Sequence, residues 1–173
     1  IGDDGTQPPT TSDYTPVVRA VKATNPDIIY VASYPPDTIG ILRAANEVGI
    51  KAKLFGGNMV GLSTAALKTQ LGPLLNGIVV NENWLPAPTL QFPGVLDFLK
   101  LYQAKAVTEG VDPLGYFLPP WAYARMQMLQ QAVEATQSVD DAKLAEYFHA
   151  HTFKTIVGDI AFGREGEWTA PRI

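Results

Sequence analysis

A chain of 173 residues is long enough to bury a hydrophobic core, and 46% hydrophobic against 17% charged residues excludes disorder and collagen-like repetition. A formal net charge of -4 supplies no basic face, so neither nucleic acid nor direct membrane insertion is expected. The lack of cysteine removes disulfide frameworks, thiolate metal sites and cysteine nucleophiles together.

Residues 1–12 are rich in Gly, Asp, Thr and Pro and read as a loop. Thr15-Pro16 pairs a cap residue with a proline at the first helical position, Val17, Val18 and Val21 share a face, and Asn25-Pro26 stops the helix. Residues 27–33 form a continuous apolar run, as a strand covered on both faces does. Ile41, Leu42, Ala44, Ala45 and Val48 have helical spacing, closed by Gly49 at a left-handed cap. Residues 53–55 form a brief strand that runs into a Gly56-Gly57 turn. Ser63 or Thr64 caps a helix through Gln70, and residues 77–80 are a second buried-type strand. Pro93 opens a long helix bearing Val95, Phe98, Leu99, Tyr102 and Ala106. Another helix covers 120–136, and Ser138-x-x-Asp141 is a capping box for the next. Residues 155–158 and 160–162 close the chain as strand or hairpin. No apolar run approaches the roughly 20 residues of a membrane span.

Helix and strand alternating in this way predict an α/β fold with a doubly wound, mostly parallel sheet and helices on both faces. Strands 28–32 and 78–80 are expected to be buried. Ligands of such sheets sit outside the carboxyl ends of the strands, at Ser33-Tyr34, Gly56-Gly57-Asn58 and 81–84.

The candidate chemistry is that of binding. The glycine segment 56–61 matches neither a dinucleotide fingerprint nor a P-loop, so no cofactor is expected, although Gly57 can present backbone N–H to a ligand. His149 and His151 lie on a helical pattern that points their rings apart, without a third ligand, so no metal is expected. There is no G-x-S-x-G elbow and no acid–base constellation, and the chain is not expected to be an enzyme. Among the aromatics, Tyr34 is best placed to face a crevice and Trp84 offers a flat wall, while Trp121 and Tyr123 read as packing residues.

In order along the chain, 13–16, 22–27, 40–45 with Val48-Gly49, 76–80, 154–158 and Phe162-Gly163-x-x-Gly166 resemble leucine/isoleucine/valine-binding proteins. The resemblance implies a periplasmic, type I binding-protein lobe. Residues 1–173 would be most of the second lobe, with the first lobe and the second lobe's opening strand and helix absent. It further implies a receptor of two lobes closing on a small ligand and delivering it to the membrane permease of an ABC transporter. Carried over by position, Tyr34 walls the pocket and Phe117 is an aromatic pocket residue. Asn58 stands where amino-acid-binding members carry a glutamate that pairs with the ligand ammonium. That departure points to a small carboxylate ligand, an aromatic acid rather than an amino acid. A ligand-sensing domain of a regulator or receptor with the same fold is the second reading, separable by upstream sequence.

Overall fold

The computed structural model describes residues 13–169; the expected opening loop lies outside them. α1 (Thr15–Ala23) begins at Thr15 itself, with Tyr14 at the N-cap position. Asp13 accepts the Thr15 N–H at 2.9 Å, and that bond holds its carboxyl below the ordinary range. Asn25 (φ 48) turns the chain before Pro26, and β1 (Ile28–Ser33) follows.

α2 (Pro35–Val48) starts earlier than the apolar spacing predicts. Pro35 and Pro36 supply pre-set φ angles, and the N–H groups they lack would have had no intrahelical partner. Gly49 ends the helix in the left-handed conformation, as expected. β2 (Leu54–Met59) does not turn at its glycines but continues through them. A Cβ on Gly57 would stand 2.2 Å from the Val31 carbonyl oxygen, and one on Gly56 would stand 1.9 Å from that of Val79. The glycines therefore let β2 lie between two neighbours in the ladder. α3 (Ala65–Leu71) and β3 (Ile78–Val80) complete the unit. Thr64 is the N-cap residue of α3 but makes no side-chain cap bond.

The three strands pair in parallel in the order β1-β2-β3, with Ile28 opposite Leu54 and Phe55 opposite Ile78. Successive steps in one direction, each right-handed, place α2 and α3 on the same face. There Leu42, Met59, Leu62 and Leu71 are buried with Val31, Phe55, Ile78 and Val80. Each of those leucines contributes about 2 kcal/mol. α1 packs onto α2 through Val18, Ala44 and Ala45. The expectation of strands covered on both sides is corrected here, because Ile28, Tyr30 and Val79 on the opposite face are 65%, 70% and 57% exposed.

The chain forms two compact units, Ile1–Glu82 and Asn83–Ile173. After β3 the chain meets Pro86, Pro88 and Pro93, which cannot donate to a continuing ladder, and a separate core begins at Trp84. In the second unit α4 (Val95–Glu109), α5 (Pro119–Thr136) and α6 (Asp141–Ala150) accompany an antiparallel hairpin of β4 (Phe153–Thr155) and β5 (Gly158–Ile160). α6 is capped by Asp140, which accepts the Lys143 N–H at 3.1 Å, whereas the expected cap, Ser138, accepts the Asp140 N–H. Gln131 of α5 bonds the backbone of Lys154 in both directions, at 2.9 and 3.3 Å, so the helix takes the place of a further strand at the hairpin.

Candidate ligand-binding site

The carboxyl ends of β1, β2 and β3 bring Ser33-Tyr34, Asn58-Met59 and Asn81-Glu82 to one edge. Ala32 pairs with Asn58 and Ser33 with Met59, and the Asn81 N–H donates to the Gly57 carbonyl at 3.2 Å. Asn58 is exposed and Tyr34 is 71% exposed, so the first unit brings these two expected residues to one open edge. Gly57 lies one residue inside it, between Val31 and Val80, as a member of the ladder rather than a free N–H at the rim.

The edge is held by a hydroxyl pair that sequence reasoning missed. Thr38, fully buried, donates to the Tyr34 carbonyl at 3.0 Å and receives the Ser33 hydroxyl at 2.8 Å. The strand end is thereby tied to the first turn of α2. The only sequence signal was two hydroxyl residues flanking Pro35-Pro36. That first turn is a poor anion cradle, since two of its residues lack N–H and Asp37 adds a negative charge. Asp37 accepts the Tyr14 hydroxyl at 2.5 Å, which pushes the Tyr14 phenol above its ordinary value.

Glu82 is the acidic residue among the six that close the strands, and Lys68 of α3 holds it at 2.6 Å. The Glu82 side chain is 17% exposed and that of Lys68 46%.

Phe117 and Trp84 belong to the second unit. Phe117 is half-buried in the turn before α5. Trp84 is not an open wall: it is 3% exposed in the core, edge-on to Tyr116 at 5.9 Å between centroids. A large apolar ring beside Val95 and Leu99 is more stable buried than at a rim. Trp121 donates its indole N–H to the Asn83 carbonyl at 3.0 Å, and Tyr123 packs on Phe98. His149 and His151 diverge, bonding the carbonyls of Gly163 and Tyr147, and among the described residues no group of acidic or histidine side chains could hold a metal ion.

Residues 1–169 match the periplasmic binding protein family. The chain belongs to that family. It is 29% identical over 156 residues to the Leu/Ile/Val-binding protein of Citrobacter freundii, covering 90% of this chain and 39% of the relative. A binding protein for leucine, isoleucine, valine, threonine and alanine from Pseudomonas aeruginosa is 26% identical over 155 residues, with the same coverage. The chain thus spans 39% of the length of these relatives, which are binding proteins rather than enzymes. Among solved structures, a leucine-binding protein of Thermotoga maritima superposes with a TM-score of 0.72 at 23% identity, covering 92% of this chain and 43% of the other. A solute-binding protein of an ABC transporter from Rhodopseudomonas palustris, solved with p-hydroxybenzoic acid, superposes at 0.65 with 18% identity, covering 91% and 42%. These neighbours share the α/β architecture and the parallel sheet. In a sheet of this kind the carboxyl edge is where a ligand is expected.

Proposed function

We propose that the chain is part of a periplasmic solute-binding receptor that serves the permease of an ABC importer, and that the ligand is a small carboxylate without an α-ammonium, an aromatic acid in particular. The observation that carries the ligand class is Asn58, exposed at the end of β2 beside Tyr34. An ammonium group brought into a closed cleft needs a counter-charge. An amide accepts a hydrogen bond but supplies no charge, and charge-assisted bonds are about twice as strong as neutral ones. The Tyr34 ring offers a flat apolar surface, and Asn58 suits a neutral polar substituent. The fold accommodates such ligands: two of its neighbours from Rhodopseudomonas palustris were solved with p-hydroxybenzoic acid and with benzoate.

A thermal-shift panel on the full-length protein tests the reading, comparing leucine, isoleucine and valine with benzoates and phenylpropenoates. Stabilisation by the amino acids alone would refute it. Asn58→Glu is expected to move preference towards the amino acids.

A further inference from the structure

We infer that Asn81 is a further ligand-contacting residue, which acts with Asn58 to hold a hydroxyl group on the ring of the aromatic acid. The inference rests on the carboxyl edge being the ligand site, as proposed above. Ala32 pairs with Asn58 and Gly57 with Val80, and the Asn81 N–H reaches the Gly57 carbonyl at 3.2 Å, so the ladder sets Asn81 level with Asn58. Met59 and Val80 pack on the helix-covered side of the sheet. Side chains alternate along a strand, so Asn58, just before Met59, and Asn81, just after Val80, share the open side. Both residues are exposed, and neither side-chain amide is engaged among the described residues. Ala32 completes the row with a methyl group, and the exposed Tyr34 follows two residues later.

Neighbouring strands lie about 4.8 Å apart, and two hydrogen bonds of about 2.9 Å span that gap through one shared oxygen. Each amide offers NH2 donors and a carbonyl acceptor. A hydroxyl both donates and accepts, so it satisfies the carbonyl of one asparagine and the NH2 of the other at once. A carboxylate only accepts, and neither amide brings it a counter-charge. The pair therefore selects a hydroxylated aromatic acid over the unsubstituted one, because a site built to bond a hydroxyl rejects the analogue that lacks it.

The test uses the full-length protein and two ligand pairs that differ only in a para hydroxyl, 3-(4-hydroxyphenyl)propanoate with 3-phenylpropanoate and tyrosine with phenylalanine. Ring and carboxylate cancel within a pair, so the affinity ratio, read by calorimetry, isolates the hydroxyl. Wild type is expected to favour the hydroxylated member about twentyfold, from two hydrogen bonds of about fivefold each. Asn81→Ala should lower that ratio about fivefold, and adding Asn58→Ala should bring it close to one. Asn81→Asp keeps an acceptor for the hydroxyl proton and should hold the wild-type ratio or exceed it. Asn76→Ala removes an exposed amide from the amino end of β3 and should leave the ratio alone.

The inference is overturned by an Asn81→Ala ratio within twofold of wild type, including the case in which both members of a pair weaken equally because the amides hold the carboxylate. It is equally overturned by a fall on Asn81→Asp as large as that on Asn81→Ala, by a fall that Asn76→Ala reproduces, or by no binding in either pair. The proposed ligand class is judged separately, by whether wild type prefers the propanoates or the amino acids. A preference for the amino acids refutes that class, while the tyrosine-to-phenylalanine ratio still decides the role of Asn81.

Discussion

Gly57→Ala puts the architecture of the binding edge to the test. The new Cβ would stand 2.2 Å from the Val31 oxygen and 2.7 Å from the Val31 nitrogen, both backbone atoms of β1 that no side-chain rotation can move. Gly57 also has φ +140, a region side chains rarely adopt. Strained backbone costs about 1–3 kcal/mol and overpacking a similar amount, so a loss of roughly 3–5 kcal/mol is expected. Gly49→Ala is the internal control. Its φ is +64, but nothing lies within 4 Å of the added atom, so only the conformational cost remains, about 1 kcal/mol. Urea unfolding of the full-length protein gives both values, compared at constant slope. Because Gly57 precedes Asn58 in β2, the first substitution should also weaken ligand binding, and the second should leave it unchanged. Equal stability losses, or a milder effect at Gly57, would refute the claim that β2 runs through its glycines between β1 and β3.

Three further expectations follow from the same geometry. Thr38→Val should cost about 1–3 kcal/mol by stranding the buried Ser33 hydroxyl, and Ser33→Ala in the same chain should recover part of that loss in a double-mutant cycle. Phe153, 1% exposed and in ring contact with Tyr147, Phe148 and Phe162, should cost about 3–5 kcal/mol on replacement by alanine, whereas Val139→Ala, at 79% exposed, should stay within about 0.5 kcal/mol by the same unfolding assay. The Tyr14 phenol is raised above 10.0 by its bond to Asp37, so its contribution is complete below the unfolded value and is lost as pH rises through the folded one. Tyr14→Phe should therefore cost about 1 kcal/mol near neutrality and flatten the alkaline loss of stability.

What could be read from the sequence was what short-range chemistry controls. Gly49 at its cap, the stop at Asn25-Pro26, and α5 ending at Thr136 all follow from local backbone preference and apolar spacing. The position of Tyr34 and Asn58 at strand ends was legible because a short apolar run fixes where a strand ends without knowledge of distant contacts. Gly56-Gly57 misled because glycine marks both turns and close backbone approach, and only the positions of Val31 and Val79 distinguish the two. Trp84 misled because its burial depends on Val95, Leu99 and Tyr116, which lie later in the chain. The pairs Thr38–Ser33 and Lys68–Glu82 join separate elements and carry no periodic signal. The bare sheet face reflects strand order, which the alternation of elements left open.

The edge also bears on whether residues 1–173 can bind alone. A desolvated carboxylate needs hydrogen-bond donors or a counter-charge. Within the first unit, Pro35 and Pro36 withhold N–H groups at the start of α2, Asp37 repels an anion there, and Lys68 is engaged by Glu82. Tyr34, Asn58 and Asn81 remain, an aromatic surface and two amides, which is a fraction of what a pocket enclosing 70–90% of a small ligand supplies. Ile28, Tyr30 and Val79 expose a parallel-sheet face of a kind found covered in α/β proteins, and this favours self-association over ligand capture. Calorimetry on residues 1–173 should therefore find aromatic-acid affinity weaker than about 1 mM, while the full-length protein binds the same acid tightly. Micromolar binding by the monomeric 173-residue chain would show that its own residues complete the site and that the carboxyl edge is not its main wall.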